Sequence, residues 1–169
     1  MMNFFAFAPF FLQAVFIAID EAYFHVKRGL PLWERIGHPI DTLSFLICLL
    51  FILWMPFTDY NLYLYIALAI GSCIMVTKDE FVHKEHCPAA ENWLHALLFI
   101  LHPVTLITAG CMWPVIQGVE VPSWMSSYFY DPFQLYWILV AQTGFITLFF
   151  FYQIIFWNFI WRNHPVRKM

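Results

Sequence analysis

The 169-residue sequence has few charged residues, and this shortage excludes a water-soluble globular protein. Asp, Glu, Lys and Arg make up 11% of the chain, against about 25% in ordinary soluble domains. Hydrophobic residues make up 62% and aromatic residues 21%, and the mean hydropathy is +0.69. The composition predicts a protein of the lipid bilayer, with room for about four or five spans of roughly 20 residues each.

Several functional motifs are missing as well. The four cysteines form no CxxC pair and no recognisable disulfide framework. The sequence has no Gly-rich phosphate loop, no Ser-His-Asp arrangement and no HExxH motif. The eight Lys and Arg residues are scattered and the net charge is −3, so we expect no nucleic-acid partner.

Five apolar runs predict five transmembrane helices in a single transmembrane domain. We expect these helices over residues 3–25, 34–57, 61–86, 89–116 and 133–161. The first run has no basic region before it and no small-residue cleavage site after it. We therefore expect it to remain as a helix and not to be removed as a signal peptide.

All the basic residues fall on one side of the predicted membrane. They are Lys27, Arg28, Arg35, Lys78, Lys84, Arg162, Arg167 and Lys168. Lys and Arg in short loops mark the cytoplasmic face, so the pattern predicts an external amino terminus and a cytoplasmic carboxyl terminus in the cytoplasmic membrane. We expect Lys27 and Arg28 to lie in a solvated loop.

One polar pattern occurs twice, at residues 20–38 and again at residues 79–95. It consists of Asp-Glu, then His after two or three residues, then Pro-x-x-Glu-x-x-x-His after a short gap. Both copies fall at a helix-loop-helix corner on the side of the basic residues. The repeat predicts that the first four helices form two duplicated antiparallel hairpins, packed together as a four-helix bundle.

The repeat also concentrates carboxylates and imidazoles at one end of that bundle, where residues four apart share a helix face. Mixed imidazole and carboxylate ligands suit iron, manganese or zinc. As metal ligands we predict Glu21, His25, His38, Glu80, His83, Glu91 and His95. As supporting residues or weaker ligand candidates we predict Asp20, Glu34, Asp41, Asp79, His86 and His102. The alternative to a metal site is a metal-free polar network.

The design of this predicted site resembles that of the carboxylate di-iron four-helix bundles, and that of the membrane hydroxylases and desaturases with histidine boxes. Glu80-x-x-His83 has the di-iron spacing, and His83-x-x-His86 has part of a histidine box. The resemblance is one of site design, and it assigns no family. It implies a pair of iron ions, with zinc or manganese as alternatives.

The predicted function is oxidation or hydroxylation of a lipid-soluble substrate at this di-metal site. Three other functions remain open on the sequence: a zinc-dependent membrane hydrolase, a metal or proton transporter, and a structural subunit of a membrane complex without catalytic activity. His102 is the one candidate for a mid-membrane transport group. Polar residues of the fifth run, among them Gln142 and Gln153, predict helix packing or contacts within a homo- or hetero-oligomer.

Overall fold

The computed structural model describes residues 3–79 and 87–161, and all regular structure in these residues is helical. Five helices are long and apolar enough to cross a membrane, which confirms the predicted all-helical, multi-pass class. They are α1 (Phe4–Arg28), α2 (Leu32–Trp54), α3 (Asp59–Val76), α4 (Ala89–Ile116) and α6 (Pro132–Ile160). The short helix α5 (Ser123–Tyr128) lies between α4 and α6.

The starts of α2 and α4 are built alike. Pro31 and Pro88 are their N-cap residues, both in extended backbone, at a point where a missing N–H costs nothing. Glu34 and Glu91 follow three residues later, in the first turn of each helix. A carboxylate there is favoured by the positive end of the helix dipole.

Gly29 allows the chain to reverse between α1 and α2. Its φ of 79° lies in the region that L-residues with a side chain avoid. Only residues 29–31 separate the two helices. The reversal therefore brings the carboxyl end of α1 directly beside the amino end of α2.

A π-helical turn, Asp20–His25, interrupts α1 near its carboxyl end. Two residues five apart are about 140° apart around an α-helix, so Asp20 and His25 would point in different directions there. The wider π turn brings residues five apart onto one side. Asp20, Glu21 and His25 thus face the same region of the bundle.

The fifth span, α6, packs into the same bundle as the first four spans. The repeat in the sequence covers only those four. α4 packs against the other four spans, while α2 packs mainly on α3 and α6, and α1 mainly on α4. α3 lies at the edge, with 11% of its apolar window buried against 28–39% in the other spans. Gln142 and Gln153 of α6 are buried inside this bundle.

The two ends of the bundle differ in chemistry. Glu21, Glu34 and Glu91 lie where the carboxyl ends of α1 and α6 meet the amino ends of α2 and α4. At the opposite end, Asn3 donates hydrogen bonds to Gln134 and closes α1 against α6. The buried carboxylates are therefore gathered at the end that the positive residues mark in the sequence.

Candidate metal centre

Eight ionisable side chains meet at that end of the bundle and form what we call the polar cluster. Its members are Asp20, Glu21, His25, Arg28, Glu34, His38, Glu91 and His95. Glu34 and Glu91 have no exposed surface, and Asp20 and Glu21 are each 7% exposed. Buried carboxylates carry a large desolvation cost unless cations or hydrogen-bond donors compensate them.

Four members of the cluster are arranged as a set of metal ligands, which we call the quartet: Asp20, His25, Glu91 and His95. Each offers one ligand atom, and these atoms all lie within 4.8 Å of one another. His25 Nε2 is 3.2 Å from Asp20 Oδ2 and 3.8 Å from Glu91 Oε1, and His95 Nε2 is 3.1 Å from Asp20 Oδ1. Ligands bound at about 2.0–2.2 Å lie roughly 3 Å apart around one ion, so the quartet could hold a metal with little movement.

Glu21 orients His25 and lies outside the quartet. His25 Nδ1 donates a hydrogen bond of 3.0 Å to Glu21 Oε2, which leaves Nε2 facing Asp20. The other oxygen of Glu21 accepts hydrogen bonds from Tyr152, at 2.9 Å, and from Trp157, at 2.6 Å. A carboxylate behind a ligating imidazole fixes the tautomer and the ring orientation. The structure therefore places Glu21, expected as a ligand, behind the His25 ring and outside the group of four ligand atoms.

Arg28 is buried in the cluster, contrary to the expectation of a solvated loop. It is 1% exposed. Its Nη1 and Nη2 donate to the two oxygens of Glu34 at 3.2 and 2.8 Å, and Nη2 also donates to Glu91 Oε1 at 2.8 Å. The paired N–H groups of guanidinium match the two oxygens of a carboxylate. Arg28 thus joins α1 to the first turns of α2 and α4.

A second group of ligand atoms comprises His25, Glu34 and His38, also within 4.8 Å of one another. The His38 ring stacks on that of His25, with centroids 5.0 Å apart. His25 Nε2 has a single lone pair, so it serves one ion at a time. His38 and Glu34 could ligate a second ion only with further ligands.

The remaining predicted site residues are either outside the described residues or make contacts outside the polar cluster. Glu80, His83 and His86 are outside the described residues, and Asp79 ends a helical turn that follows α3. Asp41 forms an ion pair with Lys78. His102 Nε2 lies 2.9 Å from Ser72 Oγ, so this histidine belongs to a separate hydrogen-bonded group below the cluster.

A cavity of about 130 Å³ lies beneath the polar cluster. All five spans line it, represented by Ile17, Phe45, Val76, Phe99 and Phe149. Three members of the quartet line the end nearest the cluster, and His102 also borders the cavity. The cavity therefore joins the candidate ligand atoms to apolar side chains inside the bundle.

Cys87 adjoins the cluster just before α4. Burial raises the pKa of its thiol well above the usual range; Arg28 opposes this shift, and Glu91 and Glu34 reinforce it. The thiol is therefore protonated at neutral pH. Without a bound metal it contributes no charge to the site.

Three residues of the site were not identified from the sequence: Arg28, Tyr152 and Trp157. Arg28 did carry a signal, because it lies three residues after His25 and seven after Glu21, on the same helical face. Tyr152 and Trp157 carried none. Aromatic residues near the end of an apolar run are typical of a membrane interface, and only the packing of α6 against α1 brings these two to Glu21.

No family model, no curated protein and no solved structure matches this chain. Its chemistry is therefore to be derived from its own residues. The feature that carries most information is the buried group of His, Asp and Glu side chains that could hold a metal ion.

Proposed function

We propose that this chain is a metalloenzyme of the cytoplasmic membrane that oxidises or hydroxylates a lipid-soluble substrate, with iron as its metal. The observation that carries the proposal is the charge balance of the polar cluster. Its eight described members include four buried carboxylates and one guanidinium, so with neutral imidazoles these eight side chains carry a net charge of −3. Divalent cations would remove this excess where solvent does not reach.

Two atoms of the quartet support a metal more directly. His25 Nε2 and Glu91 Oε2 are buried and have no hydrogen-bond partner among the described residues. Because Nδ1 of His25 donates to Glu21, Nε2 of the neutral ring presents a lone pair to an Asp20 oxygen 3.2 Å away. Two lone pairs at that distance repel unless a cation or a proton lies between them.

The donor set favours iron. Two imidazoles with two carboxylates suit iron, manganese or zinc, and a buried thiolate ligand, which would favour zinc, is lacking among the described residues of the cluster. An iron ion held by the quartet would supply redox chemistry with dioxygen as the oxidant, and hydroxylation would also need two electrons and two protons from an external electron donor to reduce the second oxygen atom to water. For a second iron we propose His38 and Glu34 as ligands, completed by Glu80 and His83.

The protein residues around the metal have separate roles. Glu21, held by Tyr152 and Trp157, keeps the His25 ring in place. Arg28 fixes the carboxylates of Glu34 and Glu91 without occupying Oε2 of the latter. The cavity beneath would admit the apolar substrate and exclude bulk water from the reacting end.

The topology in this proposal follows the basic residues: an external amino terminus, with the polar cluster at the cytoplasmic side. We also propose that the two hairpins arose by duplication. The N-cap prolines, the glutamates three residues later and the histidines at positions 38 and 95 correspond at the starts of α2 and α4. Arg28 contacts the glutamate of both copies, which supports their equivalence.

Elemental analysis tests the function. The protein is purified from cells grown with both iron and zinc, and its absorption spectrum is recorded in air and after anaerobic reduction. We expect about one to two irons per chain and a visible absorption that reduction bleaches. If the protein contains zinc and no iron, the result would contradict the oxidase and favour the zinc-dependent hydrolase. If it contains no metal, the polar cluster would be a structural network only.

A further inference from the structure

Two buried amide side chains line the cavity beneath the polar cluster, and each has unused hydrogen-bonding capacity. Gln13 of α1 is 4% exposed and lines the cavity, and its Oε1 has no hydrogen bond to a described residue. Gln153 of α6 is 5% exposed and lines the same cavity. Its Oε1 accepts a hydrogen bond of 2.7 Å from Thr42, which leaves its NH₂ group available to the cavity.

Unpartnered amides are expensive inside a membrane protein. A buried polar group without a hydrogen bond costs free energy that a simple packing role does not recover. Gln13 and Gln153 together offer one acceptor and one or more donors on the wall of a cavity that members of the polar cluster, Asp41, Thr42 and several apolar side chains also line. Such a pair matches an oxygen atom of a ligand, since a hydroxyl group donates and a carbonyl group accepts.

The size of the cavity limits the ligand. An apolar cavity of about 150 Å³ holds one benzene molecule, and the cavity measures about 130 Å³. A single ring or a short branched chain fits this volume. Phe45, Phe99 and Phe149 on its wall provide apolar and aromatic contacts for such a group.

We propose that this cavity binds the reacting end of the substrate, a ring-sized group that carries a hydroxyl or carbonyl oxygen, and that Gln13 and Gln153 bind this oxygen. The substrate class is thus a lipid-soluble phenol, quinol or aromatic alcohol. The inference rests on the proposed function for the reaction, but the binding itself requires no metal. Because the cavity lies beneath Asp20 and His25, a ring bound in it would lie next to the quartet.

Binding of two fluorinated probes to the metal-free protein in lipid nanodiscs tests the proposal. The probes are 4-fluorobenzyl alcohol and 4-fluorotoluene, which share a ring and differ in the hydroxyl group, and ¹⁹F NMR separates saturable binding from partition into lipid. We expect saturable binding of the alcohol, about tenfold tighter than that of the toluene, as one or two hydrogen bonds provide.

The control is another buried glutamine of the bundle. Gln13→Leu should remove the preference for the alcohol, whereas Gln142→Leu should keep it, because Gln142 is 7% exposed but does not line the cavity. If Gln13→Leu does not fold, Gln13→Met, which is closer in shape to glutamine, takes its place. An Ile146→Phe change, which fills the cavity, should weaken both probes.

The outcomes separate this inference from the proposed function. Equal affinity for the two probes, no saturable site, or an unchanged preference in the Gln13 variant would overturn the inference, whatever the metal content. If the protein takes up no iron but binds the alcohol saturably and in a Gln13-dependent way, the result would support ligand binding in the cavity. It would also contradict the proposed oxidase function.

Discussion

Arg28 is a permanent cation buried among the carboxylates of the polar cluster. It contacts Glu34 and Glu91, which have no exposed surface, from a third helix. Removing one partner of a buried ion pair leaves an uncompensated charge and typically costs about 3–5 kcal/mol. We therefore expect Arg28 to contribute strongly to the stability of this end of the bundle.

An Arg28→Met variant should be less stable by several kcal/mol, on the order of the cost of an uncompensated buried charge. It should also depend more on metal, because a divalent ion then has more negative charge to neutralise. The check is thermal unfolding in detergent with and without added ferrous iron, with the exposed Lys27→Met as the neighbouring control. Equal stability of both variants would contradict the role of Arg28.

Tyr152 and Trp157 should affect metal affinity through Glu21, to which both donate hydrogen bonds. Loss of the groups that orient a metal-binding histidine commonly lowers metal affinity by about 10–100-fold. The double change Tyr152→Phe with Trp157→Phe should have this effect, since Glu21 then loses both donors to Oε1. Metal affinity is measured by competition with a chelator, and Trp137→Phe, at an exposed position on α6, should leave it unchanged.

Helix periodicity was sufficient to indicate which residues of one helix share a face. It placed Glu21 with His25, and Glu91 with His95, but it could not distinguish ligands from positioning residues. That distinction depends on contacts across helices, such as Asp20 with His95 and Glu21 with Trp157, which are separated by 75 and 136 residues. No local pattern encodes them.

At the scale of the helices, the turn between α1 and α2 depends on Gly29. Its φ of 79° is strained for any residue with a side chain, and such strain costs about 1–3 kcal/mol. Gly29→Ala should therefore destabilise the protein by that amount, as measured by unfolding in detergent. Gly71→Ala, inside α3 with open space around the new methyl group, should be neutral or stabilising. If Gly71→Ala destabilised the protein more than Gly29→Ala does, the turn at Gly29 would not determine its stability.

The apolar runs were enough to predict five helices, because the bilayer requires long apolar segments whatever their packing. The π turn at Asp20–His25 has no comparable mark in the sequence. It depends on tertiary contacts that hold Asp20 against His95 and Glu21 against α6. This turn explains why Asp20, expected only as a supporting residue, lies in the quartet.

At the scale of the whole molecule, the proposed orientation is testable by itself. A reporter fused after residue 169 should lie in the cytoplasm, and one inserted near the exposed Ser126 should lie outside. The basic residues provide the reason, since they all occur on the side of the polar cluster in the sequence. If the reporter after residue 169 lay outside and the one near Ser126 lay in the cytoplasm, the proposed orientation would be wrong. The polar cluster would then face away from cytoplasmic electron donors.

The packing of the fifth span could not be predicted from the repeat. Its helix, α6, contacts α2 and α4 and donates two hydrogen bonds to Glu21 of α1. The repeat covers only residues 20–38 and 79–95, so it contains no information about α6. The contacts of Glu21 therefore involve α6 as well as the first helices.

The metal content of two histidine variants tests the central claim most directly. His95 belongs to the quartet, while His102 is equally buried on the same helix but bonded to Ser72. We expect His95→Ala to lose most of its iron and to unfold at a lower temperature that chelator does not reduce further, because metal binding contributes to folding. His102→Ala should keep its iron. Full iron in His95→Ala, or equal loss from both variants, would contradict a metal centre at the quartet.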